Sequence, residues 1–321
     1  MNLHPLPAFD VVVTGRAEIA SDIVLLTLER AGGEALPSWS PGAHIDLMLP
    51  NGIERQYSLC SDPADTARWS VAVLREAAGR GGSEYVHSTL AVGETLRVRG
   101  PLNHFAFDTA PEYAFVAGGI GITPLLPMIR AAEAAGVPWT LDYAGRSEGS
   151  MAFVRELRSD HPLQVSVYSS EAGERLALDE RFASVAAGAL VYCCGPSRLL
   201  DAAQAVADGS GWPAGRLHLE RFEAKAAGAP VLADAFDVEL ELSGMTLTVP
   251  PERSILDVVE EAGVLVLSSC REGTCGTCET PVVSGEVDHR DSVLTPEEQA
   301  DNEVMMICVS RAACPRLVLE L

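Results

Sequence analysis

Up to about residue 107 the chain alternates apolar and polar positions in short runs: Val11–Val13, Ile23–Leu28, Ile45–Leu49, Gln56–Cys60, Trp69–Leu74 and Thr95–Val98. Turn-forming stretches such as LPNG (Leu49–Gly52) and VGE (Val92–Glu94) separate them. A period of two with regular punctuation predicts antiparallel strands closed into a β-barrel, with one helical stretch at Ser83–Leu90. The pattern then changes. YAFVAGG (Tyr113–Gly119) is apolar throughout, as a strand buried on both faces must be, and a helical stretch follows through Ala135. WTLDYA, QVSVYSS and ALVYCCG alternate with helix-like Met151–Leu157, Asp179–Ala187 and Ser197–Ala207. Such alternation predicts a parallel sheet with helical crossovers, ending near Phe222. EAKAAGAP (Glu223–Pro230) has no strong periodicity and reads as a linker. A hairpin (Phe236–Leu242, Met245–Val249) and a helix (Ser254–Ala262) come next.

The boundaries that follow are 1–107 for the barrel, 108–224 for the α/β block, 225–233 for the linker and 234–321 for a last α+β domain. A chain of 321 residues has room for two or three such cores.

No apolar run approaches the ~20 residues of a membrane span. The start, MNLHPLPAFD, lacks the basic and then apolar pattern of a signal peptide, so a cytoplasmic protein is expected. Net charge is −22, from 45 acidic against 23 basic residues. That disfavours nucleic acid and anionic membrane as partners. The acid is concentrated late: Val231 to the end holds 18 Asp and Glu against 5 Arg, a net of −13. An acidic face of this kind is either a solvated surface or a docking face for a basic partner.

Eight cysteines in a cytoplasmic chain suggest metal or redox chemistry rather than a disulfide scaffold. Three of them lie within SSCREGTCGTCETP: Cys270, Cys275 and Cys278, with Cys308 downstream. C-x4-C-x2-C with a distant fourth cysteine is the plant-type [2Fe–2S] spacing, whereas zinc ribbons usually pair two CxxC knuckles. Zinc or free thiols remain the other readings. Gly273 and Gly276 would let the loop turn its amides towards anionic sulfur. Cys60, Cys193 and Cys314 are simplest as small buried hydrophobes.

GGIGITP (Gly118–Pro124) follows a strand and opens a helix, and CCGP (Cys193–Pro196) ends a later strand. Either is a plain turn taken alone, but together at the carboxyl ends of one sheet they suit a pyrophosphate. RQYS (Arg55–Ser58) joins a guanidinium, a ring and a hydroxyl on one strand, otherwise ordinary strand surface. GRGGS (Gly79–Ser83) adds Arg80 and open backbone for an anion.

In this order, RQYS, GRGGS, GGIGITP, CCGP and the CxxxxCxxC loop resemble phthalate dioxygenase reductases and vanillate O-demethylase reductases across essentially the whole chain. The resemblance implies an FMN barrel, an NAD-binding domain and a β-grasp ferredoxin domain. Carried over, Arg55, Gln56, Tyr57 and Ser58 would hold the flavin ring, with Ser58 near its N5, and Ala72, Val73 and Leu74 would meet it through backbone. Arg80, Gly81, Gly82 and Ser83 would take the phosphate, and Thr123 would lie near the flavin. Gly119, Gly121, Cys194, Gly195 and Pro196 would line the dinucleotide path. Phe222 would cover the flavin, unless it is simply a core phenylalanine. Ser58, Cys194 and Phe222 would stand closest to hydride transfer. Arg146 and Ser147 occupy the place of an acidic residue that would bind the ribose 2′-OH, so NADH is expected and NADPH is possible. The implied activity runs from NADH to FMN to the [2Fe–2S] cluster to a terminal oxygenase, of Rieske type, docked on the acidic ferredoxin domain. A cytochrome P450 acceptor, and an iron–sulfur relay that has lost its flavin, are the alternatives.

Overall fold

The computed structural model describes residues 8–77, 79–225 and 228–321. The first seven residues, on which the signal-peptide reading rests, and Ala226 and Ala227 of the expected linker lie outside the described residues. The chain divides into two compact units, Met1–Glu220 and Arg221–Leu321.

The first unit opens with six antiparallel strands: β1 (Phe9–Ala20), β2 (Ile23–Arg30), β3 (His44–Met48), β4 (Glu54–Ser58), β5 (Arg68–Leu74) and, after helix α1 (Gly82–Ser88), β6 (Thr95–Leu102). They pair in the order β4-β3-β6-β1-β2-β5, and a bridge between Leu59 and Val71 draws the two outer strands together. The sheet so curls into the expected barrel, which leaves few open edges. Inward residues such as Val11, Leu26, Ile45, Leu47, Trp69, Val71 and Val98 fill it. A charged network crosses the wall. Asp46 is fully buried 2.8 Å from Arg99, which also pairs with Glu54, and the Gln56 amide donates to Asp46 at 2.9 Å. Removing one partner would leave a buried charge uncompensated, at a cost of about 3–5 kcal/mol.

Five parallel strands follow: β7 (Tyr113–Gly118), β8 (Trp139–Gly145), β9 (Val165–Ser169), β10 (Leu190–Cys194) and β11 (Leu217–Glu220), in the order β11-β10-β7-β8-β9. Helices α2 (Ile122–Ala134), α3 (Val154–Asp160), α4 (Leu178–Ser184) and α5 (Ser197–Gly209) make the crossovers. The order reverses between β7 and β10, which puts a crevice at their carboxyl ends. The sequence pattern missed β11, four half-buried residues paired with β10 at the edge of the sheet. Helix α3 begins three residues later than expected, because Phe153 takes a left-handed conformation (φ 59°) just before it. The two sheets share one apolar core, in which Ile23, Cys60 and Ala72 of the barrel join Phe115, Ile122 and Leu125.

The second unit holds the hairpin β12 (Phe236–Leu240) and β13 (Met245–Val249), then helix α6 (Ile255–Glu261). After the cysteine loop come β14 (Glu279–Ser284), β15 (Val287–Asp288), helix α7 (Pro296–Asp301), β16 (Val304–Met306), β17 (Arg311–Ala312) and β18 (Arg316–Leu319). The main sheet runs β13-β12-β18-β14-β16, with β18 parallel to β12. This is the β-grasp arrangement. Ser254 starts α6 with a capping box to Asp257, and Thr295 does the same for α7 with Glu298.

Because the first unit is compact and buries its own core, a chain ended at Glu220 should fold alone. Circular dichroism during heating should show one cooperative transition; a gradual, non-cooperative loss of signal would show that the second unit is required.

Candidate functional site

The two glycine turns meet at the reversal point of the parallel sheet. β7 and β10 are adjacent, with Val116 beside Cys193 and Ala117 beside Cys194. A Cβ on Gly195 would stand 2.8 Å from the Gly118 Cα, and one on Gly121 would overlap the Cys194 carbonyl. Backbone packs on backbone there, so any side chain would force the turns apart. Gly119 opens the turn with φ 53°. Thr123 is buried in the first turn of α2 and its hydroxyl donates to the Ile120 carbonyl at 3.0 Å. Pro196 precedes α5 in extended conformation and touches the space above Gly118.

Beside this crevice lies a pair that the sequence did not disclose. Cys194 is fully buried, and its Sγ is 3.8 Å from Oε2 of Glu220 on the neighbouring strand. Loss of water around Glu220 raises its carboxyl to about 8, partly opposed by the thiol contact. Burial, and then the Glu220 charge, push the Cys194 thiol well above its ordinary value. Near neutrality the pair is therefore mostly protonated, a thiol beside a carboxylic acid at the mouth of the sheet. Only its place at the end of an unrecognised strand could have marked Glu220.

Arg146 and Ser147 follow β8. Arg146 is exposed, while its carbonyl accepts from the hydroxyls of Ser169 and Ser170 and from the Glu171 amide. The Ser147 hydroxyl is tied to Ser150.

In the barrel, Arg55 and Tyr57 on β4 alternate with Gln56 and Ser58. A Cβ on Gly82 would come 2.7 Å from Arg55 Cγ, so the RQYS strand and the GRGGS turn are pressed together. Gly81 reaches this geometry with φ 87°. The buried Ser83 hydroxyl accepts the Glu76 amide at 3.0 Å. Burial raises Tyr57 well above the ordinary phenol value, so its ring stays neutral. β5 forms one edge of the sheet, and Ala72, Val73 and Leu74 pair there with Leu25, Val24 and Ile23. The Val73 carbonyl is taken by the His87 ring at 2.9 Å. Ala72 shares a core with Ile122, so the strand edge adjoins the start of α2. Gln56 serves Asp46 in the wall network. Phe222 falls in the second unit and is 41% exposed.

The cysteine loop joins α6 to β14. Cys270, Cys275, Cys278 and Cys308 are all buried. Hydrogen bonds from the Cys275 and Cys308 thiols lower Cys270, and the same bonds raise Cys275 and Cys308; Cys308 also meets Cys278. The amides of Glu272 and Thr274 point at Cys270 Sγ from 3.3 and 3.5 Å. The four sulfurs therefore form one linked group with amide donors around it, a set that fits a [2Fe–2S] cluster. No group of three or more His, Cys, Asp or Glu among the described residues is gathered as for a single ion. Gly273 (φ 70°) and Gly276 (φ 74°) make the turns, and Arg271 is also left-handed at φ 58°. Its guanidinium holds Glu260 at 2.6 Å and Asp257 at 3.3 Å, contacts that offset the backbone strain. Cys60 and Cys193 are buried as expected. Cys314 is only half-buried and binds the turn around it, accepting the Glu286 amide at 3.2 Å and donating to the Arg316 carbonyl at 3.0 Å.

Residues 238–313 match the family described as a 2Fe–2S iron–sulfur cluster binding domain. The phenoxybenzoate dioxygenase subunit beta of Ectopseudomonas oleovorans is 44% identical over 303 residues, 94% of each chain. The solved phthalate dioxygenase reductase superposes with a TM-score of 0.70 at 38% identity, covering 98% of both chains. An intact type IV self-sufficient cytochrome P450 monooxygenase gives a TM-score of 0.91 at 46% identity; 98% of this chain is covered, and it spans 41% of the length of that protein. Likeness at this level, over almost the full length and through both units, places the chain in the phthalate dioxygenase reductase family of oxygenase reductases.

Proposed function

We propose that this chain is the NADH-dependent reductase of a Rieske-type oxygenase, with a cytoplasmic place suited to its eight cysteines, none of them in a disulfide. On this reading residues 1–107 carry FMN, 108–224 bind the nicotinamide dinucleotide and 234–321 hold the cluster, with 225–233 between them. The observation that carries it is that one chain has a two-glycine crevice at a sheet reversal and, separately, four linked thiols. Bound FMN would supply the step from a two-electron donor to a one-electron [2Fe–2S] carrier.

The chain's residues then do the positioning. Arg55 and Arg80 bring positive charge to an anionic flavin phosphate or ring, and Gly81, Gly82 and Ser83 offer close backbone. Tyr57 would pack its neutral ring against the flavin, Ser58 would stand near it, and Ala72, Val73, Leu74 and Thr123 would bound the site. Gly119, Gly121, Gly195 and Pro196 let the pyrophosphate lie against main chain. Cys194 sits where the nicotinamide would end, and Glu220 keeps that end uncharged. Phe222 would cover the flavin. Cys270, Cys275, Cys278 and Cys308 would ligate the iron, and the Glu272 and Thr274 amides at Cys270 would moderate the charge on sulfur.

No helix among the described residues is long and apolar enough to cross a membrane. The partner is a separate oxygenase docking on the acidic second unit, with nucleic acid and membrane disfavoured by charge. A second reading has the same electron chain serving a P450; the overlay on the self-sufficient P450 monooxygenase favours it. Purified protein given NADH, then a Rieske oxygenase or a P450 haem domain, separates the two by which acceptor is reduced.

Cys275→Ser should lose cluster absorbance and protein-acceptor reduction while NADH still bleaches the flavin. Full cluster occupancy in that variant would refute the ligand assignment.

If Arg146 binds a 2′-phosphate, Arg146→Glu should lower kcat/KM for NADPH by about tenfold, the loss of a charge-assisted contact of ~1.5 kcal/mol, and leave NADH nearly unchanged. Equal effects on both coenzymes would remove Arg146 from that role.

Glu220 also sets a pH dependence. Below its ordinary value of 4.5 the group is protonated in folded and unfolded chains alike. From there to about 8 only the unfolded chain ionises it, so stability falls as pH rises through this window. Glu220→Gln should flatten the decline of Tm between pH 5 and 8, by about 2–4 °C for each kcal/mol removed. An unchanged slope would show that Glu220 ionises freely.

A further inference from the structure

Beyond the turn that ends α6, residues 264–267 lead into the cysteine loop outside any helix or strand, with burial that alternates from one residue to the next. Val264 and Val266 pack on the core of the second unit. Leu265 and Leu267 face outwards, 99% and 38% exposed. The segment is held in place: the Ser268 hydroxyl donates to Glu260 at 3.3 Å, and Arg271 binds Glu260 and Asp257 of α6. Two leucines are therefore fixed in water, three and five residues before Cys270. An extended chain spans at most ~3.6 Å per residue, so Leu267 lies within about 11 Å of that ligand and Leu265 within about 18 Å.

The surroundings carry net negative charge. Asp257, Glu260, Glu261 and Glu272 on α6 and the loop outnumber Arg253 and Arg271, within a domain of net −13. The four ligand sulfurs are buried, so an acceptor must take electrons through the surface next to them. A rigid apolar centre with an acidic border is what a basic-rimmed redox protein can desolvate.

We propose that Leu265 and Leu267 form the apolar anchor for the electron-accepting protein, which presents an apolar contact ringed by lysine or arginine. This rests on the reading that electrons leave through the cluster to a separate protein. The leucines provide the contact that slows dissociation, and the carboxylates steer the encounter.

The test uses full-length protein loaded with flavin and cluster, and cytochrome c as a basic one-electron protein acceptor. Leu265→Asn should raise the KM for cytochrome c by about tenfold, as loss of an interface hot spot does, with Leu267→Asn smaller. Leu265→Met should restore it. Ferricyanide turnover and anaerobic bleaching of the cluster by NADH should stay unchanged in all three. Leu242→Asn, which alters a leucine 71% exposed beyond β12, should leave the cytochrome c KM unchanged. An equal rise in the Leu242 variant would overturn the site, since any exposed leucine would then serve. Slower cluster bleaching in Leu265→Asn would overturn it in favour of the chain's own flavin-bearing unit as occupant. A concentration-dependent dimer lost in Leu265→Asn would overturn it in favour of a second copy. If the KM stays at the wild-type value while Cys275→Ser still abolishes cytochrome c reduction, the anchor fails and the electron route stands. Cytochrome c reduction that survives Cys275→Ser removes the route and the anchor together.

Discussion

The close approach of two backbone turns, Gly118–Gly121 after β7 and Gly195 after β10, is the constraint on which the first unit depends. Parallel strands reverse order there, so two loops must leave the same edge without colliding. Glycine solves this by removing side chains from both loops, and main chain then lies open where a phosphate-rich ligand can reach it. The same contact fixes Cys194, and through β10–β11 pairing it sets Glu220 beside the thiol. Barrel and parallel sheet meet in one core around Ala72 and Ile122, so the Ala72–Leu74 strand edge is positioned by the packing that positions the crevice.

The second unit uses a different principle. Its loop is shaped by positive-φ residues and held by Arg271, whose two acidic partners sit on α6. Amides are aimed at Cys270 by the turn itself. The loop is thus preorganised by backbone geometry and a surface ion-pair group, with the sulfurs turned inwards. Asp291 sits behind it: the Ser292 amide donates to the Gly273 carbonyl, and Asp291 accepts the amides of Val293 and Leu294.

Much of this was legible in the chain. Period-two runs gave the barrel strands, and the wholly apolar YAFVAG gave the central parallel strand because burial on both faces leaves no polar position. The cysteine spacing carried the cluster loop. What failed to show was set by tertiary context. β11 has only half-buried residues, LHLE, and exists because β10 offers a free edge. Phe153 delays α3 through a conformation that no residue preference announces. Glu220 reads as an ordinary acid beside an arginine until the neighbouring strand brings Cys194 against it. Gln56 lies inside the RQYS motif yet is turned to the wall network by strand alternation, a feature visible in the period and masked by the motif.

One feature of the sheet bears on how the protein is made. β18 is the last strand in chain order, yet it lies in the middle of the second unit's sheet, between β12 and β14. During synthesis the hairpin, α6 and all four ligand cysteines emerge before the strand that joins the two halves of that sheet. The whole cysteine segment is therefore enclosed by a pairing that closes over almost eighty residues, a slow and non-local event.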